Sequence, residues 1–144
     1  MIVRIKRIKD TAILPEYQSD LAAAMDIHAC IDEPVLLEPM QRAMIPTGFA
    51  LELPPQYEAQ VRARSGLSLK HGITLVNGIG TIDADFRGEI NVLVINISQK
   101  SFAIDPQMRI AQMVIAPVER VVWNEVSALS DTVRGEAGYG STKY

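Results

Sequence analysis

The chain has 144 residues, of which 48% are apolar and 22% charged, with a formal net charge of −3. This size and balance allow one globular domain with its own core, and the acidic excess excludes a duplex-DNA binder, which needs a basic face to neutralise phosphates. With one cysteine, Cys30, and only His28 and His71 beside it, there is neither a disulfide within the chain nor a Cys/His metal site. No apolar run is long enough to span a bilayer, so the expectation is a cytoplasmic protein with no membrane or nucleic-acid partner.

The elements, taken in order, are mostly of period two. "VRIKR" alternates Val3 and Ile5 against Arg4 and Lys6. "FALEL" puts Phe49, Leu51 and Leu53 on one face, and "YEAQVR" puts Ala59 and Val61 opposite Glu58, Gln60 and Arg62. "RSGLSLKHG" reads as one short helix, with Ser65 as cap, Leu67 and Leu69 packing and Gly72 as the stop. "VNGIGTIDADFRGEI" (76–90) reads as a Gly-rich hairpin, "INVLVINI" (90–97) as a central strand apolar on both faces, and "RIAQMVIAPV" as a further strand. Prolines at 15, 34, 39, 46, 54, 55, 106 and 117 break up any long helix. The expectation is an all-β sandwich or jelly roll.

Of the nine glycines, five lie between 66 and 88 and three in the closing "RGEAGYGSTKY". Such clusters mark tight backbone and close ligand approach. Arg64, Ser65 and Gly66 at a helix start can cradle an anion, or make a plain strand-to-helix turn. Asp83 and Asp85 share a strand face by period two, either as a general base with its neighbour or as two solvated acids. Phe86 is a core or a stacking residue. In "RIAQM", Arg109 reads as structural, while Gln112 serves either an internal hydrogen bond or a ligand. Cys30 reads as a buried thiol, the two histidines as structural or surface residues, and Trp123 as packing the core or a contact between copies. Arg134, Tyr139, Ser141 and Thr142 are phosphate-binding and ring-stacking types on a tail that has no core of its own.

In this order, "AAMDI", "RSGLS", "GTIDADFRGE", "RIAQM" and "RGEAGYGST" resemble the five motifs of the homotrimeric dUTP diphosphatases, and the resemblance runs from near residue 22 to the last residues. It implies a jelly-roll or β-clip subunit over residues 1–133 and a flexible C-terminal arm over 134–144. Three subunits would share three active sites, with the arm closing over a neighbour's nucleotide. It implies that Asp83 activates the water that attacks the α-phosphorus of dUTP. Arg64, Ser65 and Gly66 would hold phosphates, with Gln112 beside the α-phosphate. Asn77 and the backbone through Gly80, Thr81 and Ile82 would pair with the uracil edge. Phe86 would lie under the deoxyribose and exclude a 2′-hydroxyl. Arg134, Gly140, Ser141 and Thr142 would close on the γ-phosphate, with Tyr139 stacked on uracil. Mg²⁺ would sit on the triphosphate oxygens, supported through water by Asp26. Ala24, Phe86, Ala137, Tyr139, Lys143 and the "NGIG" turn depart from the family pattern without removing a charged group. Two other implications are weighed: a relative of dCTP deaminase, for which no matching block is found, and a nucleotide-sensing regulator of the same fold.

Overall fold

A computed structural model describes residues 1–138; Tyr139, Gly140, Ser141 and Thr142 lie outside the described residues. In chain order the elements are β1 (Arg4–Arg7), β2 (Glu16–Tyr17), β3 (Met25–His28), β4 (Val35–Leu37), β5 (Arg42–Pro46), β6 (Phe49–Glu52), β7 (Tyr57–Arg62), α1 (Ser65–His71), β8 (Ile73–Leu75), β9 (Ile79–Ile82), β10 (Asn91–Asn96), β11 (Phe102–Ile104) and β12 (Arg109–Pro117). Every strand pairing is antiparallel. The sheets run β2-β3-β12-β7-β9, β5-β10-β8, β1-β6 and β11-β4. This is an all-β jelly roll with one short helix, as the alternating pattern predicts. Six of the eight prolines stand in connections and the other two, Pro46 and Pro117, end strands, where a missing ladder donor does least harm.

The larger sheet buries the period-two set Ala59 and Val61 on β7, Ala111 and Met113 on β12 and Ile27 on β3. The three-stranded sheet adds Ile45, Val92, Val94, Ile73 and Leu75 to the same core. Asn96 is fully buried at the end of β10, yet all its polar capacity is used. Its Nδ2 donates to the carbonyls of Leu37 (2.9 Å) and Lys100 (2.7 Å), and its Oδ1 accepts from the backbone N–H (2.9 Å) and hydroxyl (2.7 Å) of Ser98.

Four expectations are corrected. Arg64, not Ser65, is the N-cap of α1 and makes no side-chain cap bond, because Ser65 is already the first helical residue. Leu67 packs on the core, but Leu69 points to solvent at 88% exposure, since residues two apart cannot share one face of a helix. Residues 76–90 do not form a paired hairpin: β9 pairs with β7, whereas β8 and β10 pair with each other in the second sheet. Finally, β10 is central, as expected, but only one of its faces is buried. Leu93 is 38% exposed, with its register partner Met44 also open to solvent. The C-cap at Gly72 is as predicted, left-handed at φ +66.

The Asn96 network yields a first prediction. Asn96→Ala strips partners from two carbonyls and a backbone amide and should lower unfolding free energy by about 3 kcal/mol. Denaturant unfolding at fixed protein concentration measures it, and a change within error would show that these bonds contribute nothing net.

Candidate functional site

Two groups of side chains form. The first is cationic and centres on Asp26 of β3, whose side chain is only 12% exposed. Its Oδ1 lies 3.2 Å from Nε of Arg64, and its Oδ2 accepts from Nη1 of Arg109 at 3.1 Å. Arg64 also donates from Nη1 to the backbone carbonyl of Arg109 (3.1 Å), so the two arginines and the carboxylate form one closed unit. Gln112 joins it from β12, opposite Asp26 in register, and its Nε2 donates to the carbonyl of Ala63 (2.8 Å). Ser65 and Gly66 stand open to solvent beside Arg64 at the start of α1.

A bulge brings this set together. In a regular strand Arg109 and Gln112, three apart, would face opposite sides. The β3–β12 register pairs Arg109 with His28 but Ala111 with Ile27, so one extra residue, Ile110, is absorbed between them. The slip turns Arg109 to the same face as Gln112 and Asp26.

The second group is a pocket of about 270 Å³ at the edge of the sheet. Asn77, Gly80, Thr81, Ile82 and Phe86 all line it, with Val61, Glu89 and Asn91. Gly80 is needed for its shape, because a Cβ there would lie 3.3 Å from both Nδ2 of Asn77 and Cβ of Val61. Phe86, 45% exposed, rests its ring over Gly88, where a Cβ would come within 2.6 Å of the ring. Asp83 and Asp85 are not on a strand, because β9 ends at Ile82; they sit on the turn that follows. Both line a wider cleft of about 890 Å³ shared with Glu58, Arg87 and Arg120.

The two groups flank β7: Gly80 of the pocket pairs with Val61, and Val61 pairs with Met113, the neighbour of Gln112. Ile82, next to Asp83, pairs with Ala59, whereas Gln112 pairs with Arg62 at the other end of β7. From Ala59 to Arg62 the strand covers about 10 Å. Arg134, the remaining described candidate, is exposed and donates from Nε to the carbonyl of Ala137 (2.8 Å).

A protein-family model for dUTPase matches residues 10–143. The chain is 50% identical over 142 residues to the deoxyuridine 5′-triphosphate nucleotidohydrolase of Syntrophotalea carbinolica, spanning 99% of this chain and 97% of that one. It is 49% identical over 141 residues to the enzyme of the same name from Rickettsia felis, spanning 97% and 95%. Among solved structures, Staphylococcus bacteriophage 80alpha dUTPase with dUPNHPP matches at a TM-score of 0.90 and 27% identity over 99% of both chains. The chain belongs to the dUTPase family.

In this dUTPase-family chain Arg109 has the structural role expected of it, bonding the Asp26 carboxylate beside Arg64, while the bulge that places it leaves no mark in a pattern of apolar residues. Glu89 carries no signal in the sequence, yet its Oε1 accepts from the backbone N–H of Gly48 (2.7 Å) and ties down the end of the pocket loop. Trp123 packs no core, being 89% exposed, and neighbouring Val122 is 96% exposed. Among the described residues no helix is long and apolar enough to cross a membrane.

His28 lies on the face of β3 that carries Asp26, and its Nδ1 is buried without a partner among the described residues. Burial pushes its pKa below the ordinary value near 6.5; Asp26 opposes this, and Arg109 and Arg64 reinforce it. The fold therefore prefers the neutral ring. Its contribution is complete above about pH 6.5 and is lost as the pH falls below that value. Stability should decline as the pH falls below about 6.5, and His28→Gln should flatten that part of the profile. Thermal unfolding across the range checks it, and an unchanged slope would show that His28 does not drive the decline.

Proposed function

We propose that this chain hydrolyses dUTP to dUMP and pyrophosphate by in-line attack of water on the α-phosphorus. The observation that carries the reading is the pocket itself. The five residues expected to receive the nucleoside line one cavity, on the strand that leads directly into the turn bearing Asp83, in a chain about half identical to curated deoxyuridine triphosphate nucleotidohydrolases. Asn77 and the backbone at Gly80–Ile82 offer donors and acceptors to the uracil edge. Cytosine, which presents a donor where uracil presents an acceptor, would leave them unpaired. Phe86 underlies the sugar, and Asp83 takes the proton of the attacking water.

The triphosphate brings about four negative charges, which placed cations and amides must offset. Arg64, Ser65, Gly66 and Gln112 serve that end, with Asp26 and Arg109 holding Arg64 in place. In their own chain they stand along β7 from Asp83: Gln112 pairs with Arg62 and Ile82 with Ala59, about 10 Å apart on the strand, and Arg64 lies two residues beyond Arg62. We read the active unit as a homotrimer in which one copy's pocket faces another copy's arginine cluster. The exposed apolar side chains of Met44, Leu93, Val122 and Trp123 support this, as they need cover. The domain division follows the same reading, with residues 1–133 as the body and 134–144 as an arm over a neighbour's site. Arg134, Tyr139, Gly140, Ser141 and Thr142 would close that site.

Magnesium is the cofactor that this chemistry calls for. Among the described residues no three Asp, Glu, His or Cys side chains gather to hold an ion, and the Asp26 oxygens each face an arginine. The ion would be held by the triphosphate oxygens, with Asp26 reaching it through water. Bound there, it would neutralise phosphate charge.

Incubation with Mg²⁺ and, separately, dUTP, dCTP, dTTP or UTP should yield pyrophosphate and monophosphate from dUTP alone. Asp83→Asn should lower kcat by about 10³-fold while dUTP still binds, as loss of a general base does. Binding of dUTP by the wild-type protein without turnover would overturn the hydrolytic reading.

A further inference from the structure

We infer that Arg87 is a positioning residue that holds the turn joining Asp83 to Phe86, and so couples the chemical step to recognition of the sugar. The inference rests on the roles proposed above for those two residues. Strand β9 stops at Ile82, so no ladder supports residues 83–88. The turn closes by one backbone bond, from the N–H of Phe86 to the carbonyl of Asp83 (3.2 Å). Arg87 supplies the remaining restraint. Its Nη1 donates to the carbonyl of Ala84 at 2.7 Å and to that of Phe86 at 3.0 Å. Among the described residues no other side chain donates to a carbonyl of residues 83–88.

The two ends of the segment are fixed independently. Ile82 is paired with Ala59, and Glu89 accepts from the N–H of Gly48. Between them, one guanidinium nitrogen bonds the carbonyls that follow Asp83 and carry Phe86. Asp83 opens on the wider cleft and Phe86 on the smaller pocket, so the same two bonds set the relative placement of a proton acceptor and a sugar platform. Arg87 is exposed and outside the core; its removal loosens the turn and leaves the fold standing. A shift of about 1 Å in a reacting group costs roughly a hundredfold in rate. The effect should therefore appear in kcat and in discrimination, and only weakly in stability.

The test compares wild type, Arg87→Met and Arg87→Lys. Methionine keeps an apolar stem without a donor, and lysine offers several donors at one nitrogen. The readouts are kcat and KM for dUTP and UTP with Mg²⁺, affinity for a non-hydrolysable imido analogue of dUTP, and thermal unfolding. Arg87→Met should lower kcat for dUTP by roughly a hundredfold, reduce the dUTP-to-UTP preference, and leave analogue affinity and unfolding temperature near wild type. Arg87→Lys should restore most of both losses. Wild-type kcat and preference in Arg87→Met would overturn the inference. So would a salt-sensitive rise in KM at constant kcat, which marks a direct phosphate contact, or a fall in stability alone. Failure of the wild-type protein to hydrolyse dUTP would instead overturn the reading of the site, and this inference with it.

Discussion

The Asp26 carboxylate, held between the guanidinium groups of Arg64 and Arg109, organises the cationic half of the site. A carboxylate this buried is costly unless it is paired and hydrogen-bonded, and removal of one partner from such a unit leaves a charge uncompensated. The pairing also orients. Arg64 follows the end of β7 and begins α1, where the backbone alone would leave a long side chain many rotamers. Bonds to Asp26 and to the Arg109 carbonyl select one. Two arginines and one carboxylate leave a net positive charge on a sheet face where Gln112 already projects, which suits an oxygen-rich anion.

The bulge at Ile110 makes this unit possible, and the glycines make the other half possible. A Cβ at Gly80 would crowd Asn77 and Val61, and one at Gly88 would collide with the Phe86 ring. The proposed pairing of one copy's pocket with another copy's arginine cluster requires a contact face between copies. The exposed face of β10 and the apolar residues near Trp123 fit that requirement.

Much of this was legible in the sequence, and the exceptions have physical reasons. Alternation in "YEAQVR" predicts which face of β7 is buried, because a half-buried strand has to alternate. The five pocket residues are recoverable from one contiguous stretch, since a loop brings its own neighbours together. Strand partners are not, because "VNGIGTIDADFRGEI" has the composition of a hairpin whether its halves pair with each other or, as here, only Ile79–Ile82 pairs and does so with β7. The face that Arg109 takes is not legible for a related reason. Its face depends on a register slip against β3, some eighty residues away in the chain. The polar end of β10 was missed because Asn96 satisfies itself with backbone carbonyls that no local pattern announces.

The claim on which the account depends is that the pocket of one copy works with the arginine cluster of another. Complementation tests it most directly. Arg64→Ala and Asp83→Asn, each inactive alone, are unfolded together, refolded as mixed assemblies, and assayed for pyrophosphate release from dUTP. If sites draw their halves from different copies, random mixing restores up to about a quarter of wild-type activity, the statistical share of sites with both halves intact. Activity no higher than that of the separate variants, in assemblies verified to be mixed, would contradict it and confine the whole site to one chain.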